Sequence, residues 1–167
     1  MIEFLRYIEN LSFSTWVREG GALYGYPLIL FTHTLCLAAV VGGNLLIDLR
    51  LLGFANQMPI KPLEKLYPVM WIGFGINAVT GTILLMADAT TKARNPTFWV
   101  KLTLIFIGVG VLKVMRKQVF GDPNVDQHPV TSQAKRLAVA SLICWLGALT
   151  AGRLLAYLGP VAGLASL

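Results

Sequence analysis

The chain has 167 residues, of which 56% are hydrophobic and only 13% charged, with a mean hydropathy of +0.67. Soluble domains carry about 25% charged residues, so the composition excludes an ordinary soluble domain and points to an all-α integral membrane protein of one compact domain. The net charge of +6 does not indicate nucleic acid as a partner: the 14 Lys and Arg are spread over the loops, as membrane topology requires, and form no clustered arm.

Residues 1–22 form the first unit. Phe4, Leu5, Ile8 and Leu11 recur at helical spacing, with Glu3, Arg6, Glu9 and Asn10 between them. This predicts a short amphipathic helix lying in the membrane interface, with Trp16 as an anchor. Glu3 and Glu9 interrupt the stretch and no A-x-A-like site follows an apolar core, so no cleavable signal peptide is expected. Gly20 and Gly21 let the chain turn into the first span.

Residues 23–158 are expected to form an integral membrane four-helix bundle, with spans near 23–52, 66–86, 97–115 and 137–158. In the first, residues 24–47 contain no Asp, Glu, Lys or Arg. At 1.5 Å per residue they are long enough to cross a bilayer. His33 lies inside this stretch, ~13 Å from its first end. An ionisable residue at that depth is costly and marks a functional site by default. Cys36, Val40, Asn44 and Ile47–Asp48 follow it along one helical face, which should turn towards other helices. Asp48 and Arg50, two apart on a helix, should meet different partners. Gly42-Gly43 reads as close packing in mid-helix.

A short loop with Gln57, Pro59, Lys61 and Pro62 leads to the second span, where Gly73, Asn77, Thr80–Gly81, Leu84 and Asp88 share a face. Small and polar residues in such a row mark helix contact, and Asn77 and Thr80 are also candidate ligand contacts. Pro96-Thr-Phe-Trp opens the third span, placing Phe98 and Trp99 in an aromatic belt and Lys101 ~6 Å deep. The loop 118–134 is polar and should be solvent-exposed, His128 included. In the fourth span Gly147 with Ala151 and Ala148 with Gly152 give two close-packing registers, and Arg153 lies ~8 Å deep. The tail 159–167 is short and apolar. Cys36 and Cys144 read as small core residues. Lys and Arg are more frequent around the first and third loops, which puts those loops in the cytoplasm and both termini outside.

The antiparallel order thus gathers His33, Lys101 and Arg153 in the outer half of one bundle, with Asp88 at the rim. Bundles build cofactor sites from facing side chains at such positions. Haem b suits them: neutral His33 would ligate the iron, and Arg153 and Lys101 would meet the propionates. No other span has a histidine, so the second axial position falls to Lys101, to Met86, or stays open. Copper would want several His, Met or Cys ligands, and His33 with Cys36 supplies two. Zinc is poorer still.

A His early in span one, Gly-Gly and then Leu-Arg-Leu-Leu at its end, Thr-Gly in span two, and Phe-Trp-Val-Lys-Leu opening span three before a basic Met-Arg-Lys end together resemble HemJ-type protoporphyrinogen oxidases and CopD-like membrane proteins. The likeness is closest to a bacterial four-helix family related to them. The resemblance covers about residues 24–158. It implies a bacterial inner-membrane location and haem b held by the residues matching His33 and Lys101. The chain departs from the pattern in lacking a further His near the end of span three and the acid of the fourth span, with Arg153 in its stead. Haem binding is the part carried over; whether the chain is an enzyme is left open. Three functions compete: a haem-b redox or electron-transfer protein, a cofactor-free accessory subunit of a larger membrane complex, and a copper-handling protein of CopD type that would need a homodimer.

Overall fold

In a bilayer no water satisfies backbone N–H and C=O groups, so apolar runs of this length must fold as helices. The computed structural model describes residues 2–19 and 24–157, and among these the only regular elements are helical. The turn at Gly20–Gly21 and the apolar tail 159–167 lie outside the described residues. Two short helices, α1 (Ile2–Glu9) and α2 (Ser12–Glu19), precede α3 (Tyr26–Leu52), α4 (Leu66–Met86), a short α5 (Ala89–Arg94), α6 (Pro96–Met115) and α7 (Ser132–Tyr157). Four helical segments, those containing α3, α4, α6 and α7, are long and apolar enough to cross a membrane, as in a multi-pass membrane protein.

Local sequence explains the boundaries. Pro27 and Pro96 stand at helix starts, where a missing N–H costs nothing, and the Asn95 side chain accepts from Thr97 N at 2.9 Å. Gly53, at φ 108°, ends α3 in the left-handed conformation and donates to Arg50 O. The fourth long helix starts five residues earlier than expected, where the Thr131 hydroxyl accepts from Ala134 N at 3.2 Å.

The tightest backbone approaches pair α3 with α4 and α6 with α7, and α3 also lies on α7. Small residues set the first two seams. A Cβ on Gly73 would sit 3.3 Å from both Cys36 O and Val40 Cγ2, and one on Gly108 would sit 3.3 Å from the Trp145 ring. The tandem glycines of α3 are not equivalent: Gly43 faces Met70, whereas a Cβ on Gly42 would meet nothing within 4 Å. Only Gly43 serves close packing.

At the far end of the bundle Ile47, Leu51, Tyr67, Met70, Leu112 and Met115 form the apolar core. Two expectations are corrected here. The segment 118–134 is not simply a solvated loop. A single π-type turn, Arg116–Phe120, buries Val119 and Phe120, and the Phe120 ring meets Tyr67 edge-on at 5.3 Å. The Asp126 carboxylate accepts from the backbone N–H groups of Ile60 and Lys61. The N-terminal segment is two helices rather than one. The break falls at Asn10–Leu11, and the buried Ser14 hydroxyl donates across it to Ile8 O at 2.7 Å.

As the helical spacing requires, the face of α3 that begins at His33 turns inward: Val40, Asn44, Ile47 and Asp48 are all buried. Asp48 and Arg50 have separate partners. Asp48 accepts from the Asn44 amide, while Arg50 donates to Met58 O and Asn56 O and so holds the turn after α3.

Candidate functional site

The site is built at the start of α3, where His33 meets α4. Its Nδ1 lies 3.0 Å from Thr80 Oγ1. Thr80 is one turn past Ile76, and its hydroxyl lies 2.8 Å from Ile76 O and 3.2 Å from Asn77 O. A threonine hydroxyl has one proton. With that proton on a carbonyl of its own helix, Oγ1 accepts from His33, and this arrangement places the imidazole proton on Nδ1 and the lone pair on Nε2; a Thr80 hydroxyl donating to Nδ1 would give the other tautomer. Two further contacts fix the ring's place. Asn77 donates from Nδ2 to His33 O at 2.7 Å, and Gly81 lies so close that a Cβ there would be 3.0 Å from His33 Cε1. Asn77, Thr80 and Gly81, a row expected to mark helix contact, thus all act on one histidine.

Two lysines share this end of the bundle. Lys101, one turn into α6, lies against α7 over Gly152, with Nζ 3.7 Å from where a Cβ would be. Lys92, on α5, donates from Nζ to Leu84 O at 2.6 Å. Both lysines act electrostatically on His33, Lys101 the more strongly, and Lys92 also acts on Lys101. The expected group of His33, Lys101 and Arg153 is thereby revised. Arg153 is exposed, although its neighbour Gly152 supports Lys101, and Lys92 stands with the other two instead. Lys92 falls between the expected spans 66–86 and 97–115. The signal available was the run Ala89–Arg94, free of Gly and Pro, which forms a turn and a half of helix after Asp88 and aims the lysine back at the end of α4. Met86 is half-buried at the end of α4.

Cys36 is half-buried on α3 and Cys144 buried on α7, both as free thiols. Among the described residues no three His, Cys, Asp or Glu side chains converge. A copper or zinc site using His33 and Cys36 would need a ligand from elsewhere.

Burial lowers the Lys92 pKa, and the nearby Asp88 carboxylate only partly opposes this. The unfolded chain therefore holds this proton to higher pH than the folded one. Stability should rise with pH from the lowered value towards the ordinary lysine value of 10.5. Lys92→Met should flatten that rise in thermal melts across the alkaline range.

The N-terminal helices close over this end. Glu9 accepts from the Thr90 hydroxyl and from Thr90 N at 3.2 Å, at the first turn of α5. Arg18 reaches Ala87 O at 3.4 Å and Glu9 at 3.8 Å. Glu9→Ala should loosen α5 and speed hydrogen exchange of its amides about tenfold, the equivalent of losing about 1.5 kcal/mol. An unchanged exchange pattern in that variant would mean that α1 does not hold α5.

The family of unknown function DUF6644 matches residues 5–158. This chain belongs to that family. No curated protein and no solved structure matches it. The family match takes in α2 to α7 whole, and with them Lys92 on α5 and the Glu9 that docks on α5.

Proposed function

We propose that this DUF6644 protein binds haem b at the His33 end of a four-helix membrane bundle and works there in a redox or electron-transfer role. The observation that carries the reading is the Thr80 hydroxyl, which leaves the His33 Nε2 lone pair available to a metal while holding Nδ1–H, as the outer partner of a ligating histidine does. The donor set fits the group. It offers one neutral imidazole for iron, with Lys101 and Lys92 to meet the two propionates as charge-assisted pairs. The resemblance to HemJ-type proteins at His33 and Lys101 supports the same assignment.

Haem b, once bound, supplies a one-electron redox centre. The chain's own residues do the rest. Asn77 and Gly81 hold the imidazole in place from α4, and Thr80 keeps its proton on Nδ1. Met86, or Lys101 in place of its propionate contact, would be the second iron ligand, unless that position stays open. α5 and the docked α1 cover the end of the site. Exposed Phe13 and Trp16, stacked at 6.2 Å on α2, suit a helix pair resting in the membrane interface. The excess of Lys and Arg at the opposite end favours a bacterial inner membrane protein with both termini outside.

The test is a dithionite-minus-air difference spectrum of protein purified in mild detergent. A b-type α band near one haem per chain, lost in His33→Ala, is the expected result. A colourless wild type, even with haem supplied during expression, overturns the reading. Should fixed membrane partners then co-purify, the chain is an accessory subunit.

A further inference from the structure

A second polar cluster lies deeper in the bundle, about three turns of α3 beyond His33. Asn44 and Asp48 are one turn apart on α3, Ser141 comes from α7 and Tyr67 from α4. All four are at most 1% exposed. The Asn44 amide donates from Nδ2 to Asp48 Oδ2 at 2.9 Å and also to Ser141 Oγ. Among the described residues, three oxygens of this cluster have no hydrogen-bond partner: Asn44 Oδ1, Asp48 Oδ1 and the Tyr67 hydroxyl. Buried polar atoms in folded proteins are nearly always paired, and a group left over calls for an explanation, a bound water or ion among them.

Among the described residues no cation pairs with Asp48 either. Arg116, just past α6, lies over the Tyr67 ring at 5.5 Å and pairs with Glu64 at 4.0 Å. A carboxylate enclosed among membrane helices must be neutralised. A proton on Asp48 would let Oδ1 donate to Asn44 Oδ1, but would leave the Tyr67 hydroxyl without a partner. One small cation seated among these residues would answer all three oxygens and supply the missing charge. The donors are a single carboxylate plus neutral amide, hydroxyl and phenol oxygens, which is the hard, oxygen-only set suited to an alkali ion and too weakly charged for a divalent one.

We propose that Asn44, Asp48, Ser141 and Tyr67 form an intramembrane binding site for one Na⁺ ion. The site ties α3 to α4 and α7. It shares no residue with the haem site, so the two assignments stand or fall separately.

The experiment is sodium binding by purified wild type, followed with radioactive sodium and with thermal melts in NaCl, KCl and choline chloride at equal ionic strength. The expected result is saturable binding of one Na⁺ per chain and a melting temperature that climbs with NaCl but not with choline chloride. Asp48→Asn abolishes both effects, Ser141→Ala weakens binding about tenfold, and His33→Ala changes neither. Should Asp48→Asn fail to fold, wild-type binding and Ser141→Ala still decide the matter. Wild type that retains no sodium and melts alike in all three salts overturns the proposal. In that case, an infrared carbonyl band of a protonated carboxylic acid, missing from Asp48→Asn, would identify the proton as the neutralising charge instead.

Discussion

Thr80→Val will leave the protein folded and weaken its hold on haem b by about ten- to a hundredfold, the usual cost of losing a ligating histidine's outer hydrogen-bond partner. Valine has nearly the shape of threonine, so the close approach of α4 to His33 is kept. What disappears is the acceptor 3.0 Å from Nδ1. The ring then has no partner to hold its proton on Nδ1, and either nitrogen can carry it. The stability cost should be small, about 1 kcal/mol for one unsatisfied, half-buried donor. Haem titration into apoprotein measures the first effect and thermal melts the second. Thr80→Ser restores the hydroxyl and should restore affinity. If Thr80→Val binds haem like wild type but melts lower, Thr80 is a packing residue and tautomer control is wrong.

The four long helices were legible because bilayer hydropathy depends on little besides local composition, and apolar windows of 18 residues or more state it directly. The inward face of α3 was legible for a related reason. His33, Asn44 and Asp48 fall on one helical stripe, and a membrane leaves polar groups no other direction to turn. Legibility ended where an outcome depended on how helices meet. Arg153 stands at a depth that fits an inward cation, yet helical position alone does not say that Gly152 rather than Arg153 faces Lys101. Lys92 stayed hidden because α5 is only six residues long and shows no periodicity a window can catch. The burial of Phe120 was missed because a polar segment was read by its average, while a single ring contact with Tyr67 sets its place. The pairing of Glu9 with Thr90, 81 residues apart, has no local signal at all.

The same dependence on neighbours makes two glycines of α4 behave in opposite ways. Gly73→Leu should destabilise the protein by about 3 kcal/mol or more, the upper range for overpacking a close-packed seam, and should loosen the seam between α3 and α4. At Gly73 even a Cβ would press on Cys36 O and Val40 Cγ2, each 3.3 Å away. Cys36 O is backbone and cannot rotate aside, so the strain must move a helix. Gly75→Leu, two residues on, should be neutral or stabilising by up to about 1 kcal/mol, because leucine is the better helix former and a Cβ there meets nothing within 4 Å. His33 is held across this same seam by Thr80 and Asn77, so Gly73→Leu should also lose haem while Gly75→Leu keeps it. Thermal melts of the two variants in one detergent, with haem content measured alongside, check both statements. Equal melting temperatures would mean that α3 and α4 are not packed through Gly73. Full haem content in a destabilised Gly73→Leu would mean that the haem site does not depend on that seam.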